Sequence, residues 1–486
     1  MATDDLILVT GVTGYIGGYL VPHLLEKSYR VRVLVRNASR IVGRVWHEQV
    51  EVVEGDTLSL DAVNQAMLGV STAYYLIHNM ASGQDYLERE IVSARNFATA
   101  ACAAGVKHII YLGGLANPQE NIGQHLRARI QTGAILKQGC TPVTEFRASL
   151  IIGSGSISFE MIRYLTEQLP LVVGPKWLNN RVQPIAVENV VDYLLSALVT
   201  ESCRGKVYEI GGKDVITYFD TISAYARLRG LKRPIVKLPF LTAKWMSYFA
   251  SKLTPVPSRI TFPLIDGMRS NSLVQDDSAT RDFPAIQLID YQTSVQNALD
   301  NLSPVYLESM WQRGEDSFST MQEGIFVEAR KLVFLADPEL VYHTLSCLGG
   351  KNGWLFLNWL WKIRGLFDKL LGGPGLRGRN SSGKLVESDT LDFYRVEALR
   401  PGRMLRLKAE LISPGIGWME WRIYPKVEGA VELSQIAYFV PHGLPGFLYW
   451  KFLLPFHRLM FAGLIKAIAR KAMALSNDVD LLRDCI

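Results

Sequence analysis

The stretch Thr10-Gly11-Val12-Thr13-Gly14-Tyr15-Ile16-Gly17 decides the fold. It follows the apolar run Leu6–Val9 and opens the amphipathic stretch Tyr15–Glu26, so a glycine-rich turn stands between a strand and a helix. In that setting Gly11 permits a tight turn, Gly14 lets the backbone approach a pyrophosphate, and Gly17 allows helix and strand to pack closely. The helix start offers unpaired N–H groups to phosphate oxygens, with Thr13, Tyr15 and Ile16 on the same turn. The pattern predicts a dinucleotide site.

Outward from that turn, short β-rich runs alternate with segments of helix length. Val31–Val35, Val50–Glu54, Ala73–Ile77, Ile109–Leu112 and Thr144–Phe146 are the further expected strands, and Glu88–Ala104 is among the expected helices. Six parallel strands with right-handed crossovers give an α/β fold, a doubly wound parallel Rossmann sheet with ligands at the carboxyl ends of its strands. Beyond Ile152 the pattern predicts a helix over Phe159–Gln168, extended chain over Gln183–Val187, a helix over Val190–Leu198 and extended chain over Val207–Ile210. These extend the first domain and do not make a second sheet. Residues 1–300 are thus expected to form an NAD(P)-binding domain, and 301–323 a linker within a polar, proline-bearing segment running from about Ile260 to Gln322.

The second strand ends Val35-Arg36-Asn37, with Arg40 close behind. An acid there would bind a ribose 2′-hydroxyl, whereas an arginine receives a 2′-phosphate, so the expected cofactor is NADP, with NAD second. Asp56 fits two readings, acceptor for the adenine amino group or turn aspartate.

The tail, 324–486, has another character. Ile325–Leu335 is extended, and Asp337-Pro338 introduces a helix over Glu339–Cys347 that Asp337 would cap. Met404–Leu411 alternates Leu405, Leu407, Ala409 and Leu411 with Arg406, Lys408 and Glu410, which predicts a strand with one face in water. Trp418–Tyr424 and Val431–Val440 add strands, and Leu448–Met473 reads as a long apolar helix carrying Lys451, Arg458, Lys466, Arg470 and Lys471. A curved antiparallel sheet gripped by that helix makes an α+β domain. The aromatics Trp354, Phe356, Trp359, Trp361, Trp418, Trp421, Tyr438 and Phe439 fit either a hydrophobic ligand chamber or an ordinary core.

Hydrophobic residues make up 48% of the chain and charged ones 20%, which predicts folded structure throughout. The net charge of +6 is spread without a Lys/Arg block, so no nucleic-acid partner is expected. Five cysteines without a CxxC argue against a disulfide framework and against a zinc site; they are read as reduced thiols of a cytoplasmic protein with no metal. Met1–Asp5 lacks the basic start of a secretory signal. Leu433–Trp450, with Ser434, Gln435, His442 and two prolines, is not expected to span a bilayer, while Gly443–Trp450 beside Lys451 fits a peripheral membrane contact.

Over about residues 1–300 these motifs resemble the extended and atypical short-chain dehydrogenase/reductases, above all the branch of nitrogen-metabolite-repression regulators and isoflavone-reductase-like enzymes. The resemblance rests on Gly11, Gly14, Gly17, Arg36, Gly55-Asp56, Tyr111-Leu112-Gly113-Gly114, Phe146-Arg147-Ala148 and Gln183-Pro184-Ile185-Ala186-Val187. It implies a serine and a Tyr-x-x-x-Lys pair for hydride chemistry. Gly113-Gly114 stands at the serine position, and His125-Leu126-Arg127-Ala128-Arg129 keeps the pair's spacing with His for Tyr and Arg for Lys. His125 is then a proton donor, or equally a surface helix histidine, and Arg129 binds ribose or phosphate. Tyr111 is a pocket residue or simply core, and Tyr248 to Lys252, the literal Tyr-x-x-x-Lys, is coincidental because it follows the sixth strand. The tail resembles the helix-grip domains of the START and polyketide-cyclase type, and the pairing resembles bacterial oxidoreductase-like proteins with a carboxy-terminal domain of unknown function. Together they imply an NADPH-dependent reductase, or related isomerase, of a small hydrophobic carbonyl or enone; a non-catalytic NADP(H) sensor or assembly factor and a lipid carrier are the alternatives.

Overall fold

The computed structural model describes residues 5–41, 44, 46–78, 85–117, 122–238, 241–253, 258–302, 317–322, 325–379 and 385–477. Met1–Asp4, Cys485 and most of the 301–323 segment lie outside the described residues, as does the side chain of Lys252. The chain divides into two compact units, 1–313 and 314–486.

The first unit is built on seven strands: β1 (Leu6–Thr10), β2 (Arg30–Val35), β3 (Glu51–Glu54), β4 (Val70–Tyr75), β5 (His108–Gly114), β6 (Val143–Ala148) and β7 (Val207–Ile210). They lie in the order β3-β2-β1-β4-β5-β6-β7, all parallel, so the direction of winding reverses between β1 and β4. Val207–Ile210, expected in an extension beside the sheet, instead pairs residue by residue with Glu145–Ala148 as its seventh strand. Every residue of β1 is buried because helices cover both faces of the sheet, which is why parallel strands read as unbroken apolar runs. One face packs on α1 (Tyr15–Glu26) and α6 (Val187–Val199) through Leu20, Val21, Leu24, Val190 and Leu194. The other packs on α2 (Leu60–Met67), α3 (Tyr86–Ala103) and the end of α4 (Gln124–Leu136) through Val63, Phe97 and Leu136.

Past β6 the chain runs through α5 (Ile157–Gln168), α7 (Tyr218–Leu228), α8 (Ala243–Leu253), α9 (Ser258–Gly267), α10 (Ser278–Asp282) and α11 (Tyr291–Asp300). The polar segment beginning near Ile260 is thus not a separator: it supplies three helices to the first unit, because a few apolar side chains, Ile265, Ala279 and Val295 among them, suffice to bury one side of each. Cys102, in α3, and Cys140, after α4, form a disulfide. This corrects the reading of all the cysteines as reduced thiols: wide sequence spacing says nothing about proximity once two helix ends meet. Among the described residues, Cys203 and Cys347 are buried thiols outside any disulfide.

The second unit carries an antiparallel sheet of β8 (Ser317–Gln322), β9 (Ile325–Leu335), β10 (Thr390–Leu391), β11 (Tyr394–Arg400), β12 (Met404–Ala409), β13 (Gly415–Pro425) and β14 (Ala430–Pro441), in the order β8-β9-β14-β13-β12-β11-β10. Its helices are α12 (Pro338–Ser346), α13 (Asn358–Leu370) and α14 (Gly443–Asn477). Asp337 caps α12, accepting from the Glu339 N–H at 2.8 Å, with Pro338 in the first turn. The long helix α14 lies on β9 and β14: Trp450 stacks between Phe326 and Phe439, and Gln435 donates to the Phe461 carbonyl. Six of the eight tail aromatics, Trp354, Trp361, Trp418, Trp421, Tyr438 and Phe439, are buried, and all four of those indoles donate to hydrogen-bond partners, as core aromatics do. Trp359 is exposed. The expected wet face of β12 fails at Arg406, which is buried against the buried carboxylate of Glu420 across the strand pair.

Candidate functional site

A cavity of about 410 Å³ opens at the carboxyl ends of β1, β4, β5 and β6, beside the point where the winding reverses. That position follows from topology, since crossovers leaving in opposite directions part the loops there. One wall is the glycine turn. Gly11 has φ +73°, and a Cβ on it would lie 2.4 Å from the Leu76 carbonyl oxygen; a Cβ on Gly17 would lie 2.5 Å from the Gly11 oxygen. Gly14, at the cap position of α1, has no side chain to cap the helix, and Gly14, Tyr15, Ile16 and Gly17 line the cavity. A helix start beside a turn that admits no side chain fits a dinucleotide pyrophosphate.

Gly11, Gly14, Tyr15, Ile16, Gly17, His125 and Arg129 of the sequence-predicted residues line this cavity together. Arg36 stands exposed at the end of β2, without a hydrogen bond or ion pair among the described residues. Thr13 is exposed at the turn and is not part of the cavity wall. Asp56 is occupied as a turn residue: its carboxylate accepts from the Leu58 N–H at 3.1 Å and lies 3.7 Å from Arg89. Tyr111 is not in the wall either. Its ring is packed with Tyr75 in the core, its hydroxyl donates to the Arg129 carbonyl at 2.8 Å, and burial pushes its pKa far up, so it has no route to a substrate.

Arg129 reaches the cavity in a role different from that of the lysine it replaces. Its guanidinium donates to the carbonyls of Ile77 and Leu112, tying the ends of β4 and β5, and lies over the Tyr111 ring. These bonds hold the positions that a ribose-binding lysine would leave free. His125, near the start of α4, is 7% exposed and lies against Gly267, where a Cβ would come within 2.6 Å of its Cε1. Its Nδ1 has no hydrogen-bond partner among the described residues. Burial, with His78 and Arg129 nearby, pushes its pKa down to about 4, so the ring is neutral at physiological pH.

Several lining residues escaped the sequence reading. His78, just past β4, is hydrogen-bonded through Nδ1 to the buried Glu90 at 3.1 Å, and Glu90 also accepts from Thr132. Burial outweighs the glutamate and holds the His78 pKa below the ordinary histidine range. Tyr218, at the start of α7, and Ile260, Leu264 and Met268, from the segment read as a separator, complete the wall. The signal for His78 was present, a histidine at a strand's carboxyl end; its partner twelve residues on was not visible until α3 was placed. Gly114, at the missing serine, lies against Leu126, which a Cβ would meet at 2.9 Å.

Comparison with known proteins agrees with this geometry. Residues 3–128 match the NmrA-like family model. Residues 324–464 match a family described only as a protein of unknown function, DUF2867. The chain is 25% identical over 296 residues to the mitochondrial NADH dehydrogenase [ubiquinone] 1 alpha subcomplex subunit 9 of Arabidopsis thaliana, covering 56% of this chain and 71% of that one. It is 27% identical over 273 residues to a ceramide reductase of Caulobacter vibrioides, covering 53% of this chain and 83% of that one. An NADPH-dependent quinone oxidoreductase from Escherichia coli, solved with NADPH, shares the fold with TM-score 0.50 at 18% identity, over 61% of this chain and all of that one. The amino-terminal unit therefore has a Rossmann-like fold and is similar to the NmrA-like family over residues 3–128.

Proposed function

We propose that this chain is an NADPH-dependent reductase of a hydrophobic carbonyl or enone. The observation that carries the reading is one continuous cavity that joins the bare glycine turn to the neutral imidazole of His125 through a largely apolar wall. The ceramide reductase and the other reductases among the relatives support oxidoreductase chemistry in general. A bound nicotinamide would supply the hydride. The N–H groups at the start of α1 would hold the pyrophosphate, and the exposed guanidinium of Arg36 would hold a 2′-phosphate. His125, kept neutral, donates an N–H hydrogen bond to the substrate oxygen and stabilises the charge that develops there. His78 is fixed by Glu90 yet about a third exposed, 36% at the side chain, so it connects the cavity to solvent protons. Leu115, Ile157, Met161 and Leu264 exclude water and favour an apolar substrate.

A second reading, an NADP(H) sensor without turnover, is favoured by Arg129, whose guanidinium is spent on backbone carbonyls. The two are separated by identifying the nucleotide that co-purifies and following NADPH oxidation with a panel of apolar ketones and enones. The reductase reading expects turnover that His125→Ala lowers by about 10² to 10⁴, with NADPH affinity unchanged. NADPH binding without oxidation by any of the panel would establish the sensor instead.

A further inference from the structure

We propose that the carboxy-terminal unit docks on an anionic lipid bilayer through apolar stripes on α13 and α14. In α13, Trp361, Gly365 and Asp368 form the buried face, as one side of an ordinary surface helix should. The exposed side of the helix is not wholly polar. Trp359, Ile363, Leu366, Phe367 and Leu370 fall at helical spacing on another face and are exposed, Leu370 to 73%. The long helix repeats the arrangement. Phe461, Leu464, Ile465 and Ile468 are buried, as are Phe447 and Trp450 beneath the sheet contact, while Leu448, Phe452, Phe456 and Leu459 recur every three or four residues in the open, Phe452 to 74%. The entry to α13 packs on the middle of α14, since Phe356, two residues before α13, lies so close to Gly463 that a Cβ there would meet its ring at 2.0 Å.

Charge decides which occupant suits these stripes. From Gly443 to Asn477 there is no Asp or Glu, against Lys451, Arg458, Lys466, Arg470 and Lys471. In α13 the one acid, Asp368, is buried and accepts from the N–H groups of Gly375 and Ile412, while Lys362 and Lys369 are exposed. Exposed aromatic and aliphatic side chains bordered by cations alone match the acyl boundary and phosphate layer of an anionic membrane. The helix α14 is long and apolar enough to cross a bilayer. With one side seated on the sheet it cannot be lipid-surrounded, so it lies in the interface plane. This inference is independent of the proposed reductase activity.

The test is flotation of the full chain with vesicles of phosphatidylcholine, alone or mixed with phosphatidylglycerol. The chain is expected to float with the mixed vesicles and, at high salt, to lose about tenfold in binding. Phe452→Ser with Phe456→Ser, and separately Leu366→Ser with Phe367→Ser, should each weaken binding about a hundredfold, with the melting temperature unchanged because the side chains removed are exposed. Lys451→Gln with Lys466→Gln should weaken it about tenfold or more, on anionic vesicles alone, and serves as the test should a serine pair fail to fold. No flotation of the wild-type chain, or binding that survives these substitutions, would overturn the proposal. So would a sedimentation measurement in which the stripes hold two copies together and no lipid binds.

Discussion

Glu145 in β6 and Glu420 in β13 are both sealed from solvent, and each is gripped by two cations, yet the two sheets treat this charge differently. Glu145 pairs with Lys137, just past α4, and with Arg147 on its own strand at 2.8 Å; these side chains are 30% and 18% exposed. Glu420 pairs with Arg406, directly opposite on the neighbouring antiparallel strand, and with Arg422 at 2.6 Å, at 3% and 15% exposure. In the parallel sheet one of the two cations, Lys137, comes from a helix end and keeps contact with water. In the antiparallel sheet the cross-strand register places acid against base inside the protein, so each depends on the other for solvation.

The largest expected effect tests that contrast. Glu420→Gln strands the buried guanidinium of Arg406 and should cost about 3–5 kcal/mol in urea unfolding, whereas Glu145→Gln should cost about 1–2 kcal/mol because Lys137 can turn to water. Equal losses would erase the distinction. The parallel sheet places the proposed nucleotide ligand Arg36 at a strand end, exposed and outside the core. Arg36→Ala should therefore weaken NADPH binding by about ten- to a hundredfold, measured calorimetrically, with NADH affinity and the melting temperature unmoved.

Acid sharpens the comparison further. Burial holds His108 and His125, both in the first unit, neutral to about pH 4, against an ordinary value of 6.5. Between those values the unfolded chain binds the extra protons, so stability falls as pH drops through 6.5, by up to about 1.4 kcal/mol per pH unit for each histidine. Unfolding of wild type and His125→Gln at about pH 5 and about pH 7 should show a shallower slope in the variant. The smallest effect is expected at Asp56→Asn, a turn substitution beside the partly exposed Arg89, worth under about 0.5 kcal/mol in stability and nothing measurable in NADPH affinity.

The glycine turn was legible because its signature is local: a positive φ and a missing Cβ are properties of one residue, even though the atom that excludes a Cβ at Gly11 is the Leu76 carbonyl past a neighbouring strand. The capped helix at Asp337 and the alternation of Leu405 and Leu407 were legible for the same reason. What stayed hidden was contact between distant segments. Val207–Ile210 became a sheet strand because β6 offered an open edge, and a short β-rich run carries no mark of which edge it will find. Arg129 looked like a ligand group by spacing, but the carbonyls it serves belong to other strands. Arg406 read as a solvated charge because its buried partner, Glu420, lies fourteen residues away across a turn. The cavity wall from Ile260 to Met268 was concealed by composition, since a segment that lines a pocket needs few apolar residues and tolerates polar ones.

The disulfide between Cys102 and Cys140 encloses a covalent ring, and that ring contains β5 and α4, hence Gly113, Gly114, His125 and Arg129. Chain-entropy reasoning gives a closure of this length about 4 kcal/mol against the unfolded state. The part of the molecule that frames the His125 end of the cavity is thereby closed by a bond whose reduction would lower the stability of the whole folded unit.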